Sequence, residues 1–173
     1  MSSNIPEPSV EALKGPILIG PILIALGANI PSVAGPPANT LKAALGALAD
    51  AGLEITAVSP FYESEAWPDP ADPPFMNAVA ALRTMLQPFA LLTLLHQVET
   101  AFGRKRSVPN APRTLDLDLL DYAGRVHQGN VTLPHPRMAS RRFVLEPLRA
   151  IAPGWRHPVT GQDLDALLRG LGG

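Results

Sequence analysis

Residues 112–122 read PRTLDLDLLDY, and the order of elements along the chain turns on what this run becomes. Leu115, Leu117 and Leu119 alternate with Asp116 and Asp118, a period of two that belongs to a β-strand. One face of such a strand is apolar. The other carries two carboxylates about 7 Å apart, from a rise of roughly 3.3 Å per residue.

Upstream lies a basic, proline-containing loop at 104–113. Before it, Leu91, Leu92, Leu95 and Val98 follow helical spacing from about Phe89 to Phe102, with Pro88 suited to the first turn and Gly103 to the end. FMNAVAALRT (75–84) reads as a strand with Met76, Ala78, Ala80 and Leu82 on one face and Phe75, Asn77, Val79 and Ala81 on the other. WPDPADPP (67–74) is loop, and LEITAVSPFYES (53–64) alternates like one strand. Thr40 is placed to cap a helix burying Leu41, Ala44, Leu45 and Leu48 and stopped by Gly52, and Pro21–Leu26 reads as a core strand. Downstream, RRFVLEPLRAIAP suggests a helical turn or two and LDALLRGL a short closing helix. The order β-α-β-β-α-β predicts an α+β, ferredoxin-like sandwich, an antiparallel sheet with helices packed on one side, plus a C-terminal elaboration.

The chain has 173 residues, 46% hydrophobic and 17% charged, which suits one soluble globular domain. Its net charge of −1 argues against nucleic-acid or membrane-surface binding, which call for a basic excess. The absence of cysteine excludes a disulfide or thiolate site and is compatible with a cytoplasmic location. GPILIGPILIALGA (15–28) is interrupted by Pro16 and Pro21 and is too short to span a bilayer as a helix. Residues 1–19 are read as an extension, mobile at its start, and 20–173 as a single domain, expected to be a monomer.

Asp116 and Asp118 on one strand face suit two Mg²⁺ ions, which prefer one or two carboxylates completed by water and phosphate oxygens. An isolated D-x-D is a weak signal, since a solvent-facing strand edge carries the same pattern. Arg104, Lys105, Arg106 and Arg113 lie close before the pair, as a polyphosphate would require, although a solvated basic loop has the same composition. The P-loop signature is absent. His135 stands between two prolines in LPHPRM, and Phe75 and Asn77 share a strand face able to stack on and read a flat heterocycle. Each has a bland counterpart, a surface histidine and a core pair. A two-metal nucleotidyl or phosphoryl transferase of another kind, or a non-catalytic ligand-binding domain, fits parts of the same pattern.

Together, PRTLDLDLL, ALGANI, SPFYES, PPFMNAVAAL, LLHQVETAFGR, LPHPRM and RRFVLEPL resemble the 6-hydroxymethyl-7,8-dihydropterin pyrophosphokinases of folate biosynthesis over roughly residues 21–160. The resemblance implies transfer of diphosphate from ATP to the pterin hydroxymethyl group, with AMP released and ATP and the pterin as small-molecule partners. It implies that Asp116 and Asp118 hold two Mg²⁺ ions and that Arg104 and Arg113 contact the transferring phosphates. Ser64, Glu65, Phe75, Asn77 and Phe143 would form the pterin pocket, and His96, Glu99, Arg106, Thr132, His135 and Arg141 the nucleotide contacts. His96 and Asn130 depart from the residues often found at those positions, and the loop KRSVPNAP is about one residue short and lacks a tryptophan.

Overall fold

The computed structural model describes residues 20–105 and 108–172. The expected extension at 1–19 and the candidate Arg106 lie outside the described residues. Strand β1 (Ile22–Ala28) runs through the middle of one antiparallel sheet. Helix α1 (Pro37–Asp50) follows it, then β2 (Glu54–Val58), β3 (Tyr62–Ser64), β4 (Phe75–Arg83), α2 (Pro88–Ala101) and β5 (Asp116–Tyr122). The strand order is β2-β4-β1-β5, with β3 also paired to β4, as the β-α-β-β-α-β reading requires.

The single strand expected over 53–64 is two. Ser59 exchanges hydrogen bonds with Val79 through its backbone N–H (2.9 Å) and its Oγ (3.0 Å), and Pro60 has no N–H to continue the ladder. Helix α1 also begins earlier than expected. Pro37 opens it, where a missing N–H costs nothing, and Thr40 lies fully buried inside, its Oγ1 2.6 Å from Ser32 Oγ.

Helices cover both faces of the sheet, which corrects the expectation of one. Against α1 and α2 lie Ile22, Ile24 and Leu26, with Ala78, Ala80, Leu82, Leu117 and Leu119 beside them. Against α3 (Arg142–Ile151) and α4 (Leu164–Gly170) lie Leu23, Val79, Ala81 and Leu120. The reason is in β1, whose sequence ILIALGA has no polar alternate. A strand apolar on both faces needs cover on both, and each fully buried Leu or Ile stabilises the fold by roughly 1.5–3 kcal/mol. The C-terminal elaboration is therefore a second structural layer.

β5 keeps its predicted alternation only to Leu119. Its pairing with β1 shifts register between Leu23 and Ile24, leaving Leu120 unpaired as a bulge. Leu120 and Asp121 both turn to the second layer, where Asp121 Oδ2 accepts Trp155 Nε1–H at 2.7 Å. Among the described residues, no helix is long and apolar enough to cross a membrane.

Candidate active site

Antiparallel partners share a face, so the register assembles the site. Gly27 lies between Asn77 of β4 and Asp116 of β5, and Ala25 lies between Val79 and Asp118. The two small residues form the floor of a cleft of about 450 Å³, walled on one side by Phe75 and Asn77 and on the other by Asp116 and Asp118. Phe143 and Val144 from the start of α3 close it from above the sheet. A Cβ at Gly27 would come within 3.4 Å of Asn77 Oδ1 and 3.8 Å of the Phe75 ring, so glycine keeps the floor low.

Asn77 is oriented by its own neighbours. Its Nδ2 donates to the Tyr62 carbonyl (3.0 Å) and to Ser64 Oγ (2.9 Å), which uses both amide hydrogens. Oδ1 is left facing the floor above Gly27, an acceptor for a ligand N–H. Each aromatic wall carries a guanidinium: Arg113 lies 5.9 Å from the Phe75 ring centre and Arg141 5.6 Å from that of Phe143.

The same arginines reach the carboxylates. Asp116 accepts from Arg104 Nη1 at 2.8 Å and from Arg113 Nη1 at 3.4 Å, and Arg141 Nη1 stands 3.5 Å from Asp118. Burial pushes the Asp118 carboxyl above its ordinary range, and the Asp116 charge adds to the rise. His135 is held lower than usual, chiefly by burial. Its Nδ1 accepts the Arg137 N–H at 3.2 Å, so a neutral ring carries its proton on Nε2, 3.9 Å from Asp118. Both candidate metal donors are hard oxygens. No third Asp, Glu, His or Cys joins them among the described residues, so water and a phosphate ligand would have to complete a Mg²⁺ shell.

A cleft with two aromatic rings, one amide, paired carboxylates and arginines has the chemistry to take a flat heterocycle beside a polyphosphate. The sequence profile of the 7,8-dihydro-6-hydroxymethylpterin-pyrophosphokinase family matches residues 23–153. The chain belongs to that family. It is 41% identical over 148 residues to the 2-amino-4-hydroxy-6-hydroxymethyldihydropteridine pyrophosphokinase of Synechocystis sp., covering 84% of this chain and 73% of the relative. The enzyme of that name from Pseudomonas aeruginosa is 40% identical over 154 residues, 87% of this chain and 91% of its own. The folic acid synthesis protein fol1 of Schizosaccharomyces pombe is 36% identical over 118 residues, 68% of this chain but 16% of its own length.

Within this pyrophosphokinase domain the cleft gathers Ser64, Glu65, Phe75, Asn77 and Phe143 with Arg113, Asp116, Asp118 and Arg141. Glu99 lies under the floor instead. It is 1% exposed, its Oε1 accepts the Leu117 N–H at 2.8 Å, and Arg104 Nη1 is 3.7 Å away. It therefore supports the segment between the two aspartates. His96 faces a separate groove with Leu92, Gln97 and Asn130, and Thr132 is exposed.

Trp67, Arg137 and Asn29 are among the residues at the site that the sequence pattern does not single out. Trp67 stands at the cleft mouth, 71% exposed. Arg137 lines the cleft from the LPHPRM turn, two residues after His135. Asn29, just past the end of β1, is buried and ties Arg113 in place. The sequence signal for it is its place directly after the apolar run ILIALGA, because an amide carried into the interior there needs partners.

Proposed function

We infer that this chain transfers the β,γ-diphosphate of ATP to the hydroxymethyl group of 6-hydroxymethyl-7,8-dihydropterin, releasing AMP, in folate biosynthesis. The observation that carries the reading is the register of the sheet, which sets an aromatic and amide wall opposite two carboxylates across Gly27.

In the site assignment we favour, the pterin stacks between Phe75 and Phe143 and donates an N–H to Asn77 Oδ1, with Ser64 and Glu65 bordering it. Asp116 and Asp118 would hold two Mg²⁺ ions, which when bound supply charge neutralisation of the polyphosphate and polarisation of the reacting oxygens. The protein's own contribution is positioning and preorganised charge, the main requirements of phosphoryl transfer. Arg104 and Arg113 stabilise charge that develops on the transferring group, anchored by the Leu115 and Ala111 carbonyls at 2.9 and 3.1 Å. Arg141 and the Nε2–H of His135 face the phosphates from the Asp118 side. His96 and Thr132 contact the nucleotide outside the main cleft, and Glu99 acts on Arg104 and Leu117.

The test is direct. Incubation with ATP, Mg²⁺ and 6-hydroxymethyl-7,8-dihydropterin should release AMP in proportion to enzyme, and no AMP above background would overturn the reading.

A further inference from the structure

Among the described residues, Arg104 and Arg113 each pair with Asp116, and Arg141 and His135 each face Asp118. Arg137 differs. It lines the same cleft as Asp118, Arg141 and Phe143, yet among the described residues its guanidinium has no hydrogen-bond or ion-pair partner. Its backbone is tightly held. The N–H donates to His135 Nδ1 at 3.2 Å, and the carbonyl accepts from Ser140 N–H at 3.3 Å and Ser140 Oγ at 3.0 Å. A fixed base thus carries a free cationic head.

That head is exposed at the cleft, on the side where Arg141 and His135 face Asp118. An unpaired guanidinium facing like charges is relieved by an anion, and its planar fork matches phosphate oxygens.

We propose that Arg137 binds the diphosphate that is transferred, taking non-bridging oxygens of the β- and γ-phosphates of ATP and then of the diphosphorylated product. This rests on the pyrophosphokinase reading and adds a phosphate ligand to it. The choice of phosphates follows from location. Arg137 shares the cleft with Phe75 and Phe143, between which the heterocycle is assigned. The phosphates that meet the hydroxymethyl group are the ones transferred, while the α-phosphate leaves with AMP.

Calorimetric titration of the whole chain with ATP and separately with AMP, in Mg²⁺ and without pterin, tests this. Arg137→Ala should weaken ATP binding roughly ten- to a hundredfold, the scale of a hydrogen bond to a charged group. AMP binding should be unchanged, and Arg137→Lys should fall between Ala and wild type for ATP. Thermal stability should not move, because the side chain supports nothing else. ATP affinity in Arg137→Ala equal to wild type overturns the proposal, as does an equal loss for AMP. The two readings fail separately. A wild-type chain that makes no AMP sinks the transfer reaction, whereas unchanged ATP affinity in an active Arg137→Ala chain sinks the role of Arg137 alone.

Discussion

Asn29 grips Arg113 at both ends of its backbone: Oδ1 accepts the Arg113 N–H at 2.8 Å, and the Asn29 N–H donates to the Arg113 carbonyl at 3.2 Å. Its Nδ2 also reaches the Pro73 carbonyl at 3.0 Å. One buried amide therefore joins the end of β1 to the loops on either side of the cleft. Asn29→Ala should lower unfolding free energy by about 1–3 kcal/mol, because it strands buried backbone groups. It should also reduce kcat through misplacement of Arg113. Urea unfolding and steady-state kinetics check both, and unchanged kcat in a destabilised variant would limit Asn29 to a structural role.

Arg113 itself should matter more to turnover than to binding. Arg113→Ala is expected to lower kcat about 10²–10³-fold, the loss typical of a positioned donor at developing charge, with a smaller change in KM. A pure KM effect would mean that Arg113 binds ground and transition states alike. Asp116→Ala and Asp118→Ala should each cut turnover by several orders of magnitude while leaving the fold intact by circular dichroism. Near-normal activity in either would end its assignment to metal.

Gly27 sets the depth of the cleft. Gly27→Ala places a methyl 3.4 Å from Asn77 Oδ1, in the plane where a heterocycle would lie. KM for the pterin should rise roughly tenfold, the scale of a one-carbon misfit, with KM for ATP and the melting temperature nearly unchanged. Equal effects on both substrates would show that the floor is not a pterin contact.

The chain has two tryptophans, and only Trp67 lines the cleft, while Trp155 is buried in the second layer. Pterin binding should change tryptophan fluorescence in the wild type and in Trp155→Phe. The change should vanish in Trp67→Phe. Its persistence there would place the reporter elsewhere.

Asp121 makes stability depend on pH. Burial raises its carboxyl above the ordinary range, opposed by the hydrogen bonds from Trp155 and Gly124 and by His157. Between the unfolded and folded values the native state holds more protons, so stability falls as pH rises through that window. Asp121→Asn removes this titration. The wild-type-minus-variant difference in unfolding free energy should therefore grow more favourable to the wild type as pH drops from 7 toward 4. A flat difference would mean that Asp121 does not titrate between those limits.

Much of this protein was decided by local sequence. The period-2 runs at 75–84 and 112–122 needed nothing beyond side-chain alternation to predict strands and to put Asn77 with Phe75 and Asp116 with Asp118. The helix around Leu91, Leu95 and Val98 likewise follows from apolar spacing. The chain's order of elements then implied an antiparallel sheet of the ferredoxin-like kind. Tertiary structure decided what spacing cannot encode. Pairing register set Gly27 between Asn77 and Asp116, because only the ladder says which residues of distant strands face one another. The two-sided burial of β1 recruited α3 and α4 as a second layer and brought Phe143 over the cleft. The same folding buried Glu99 beneath the aspartates and set Arg137 in the lining of the cleft with no side-chain partner among the described residues, since partners come from long-range packing and not from neighbours in the chain.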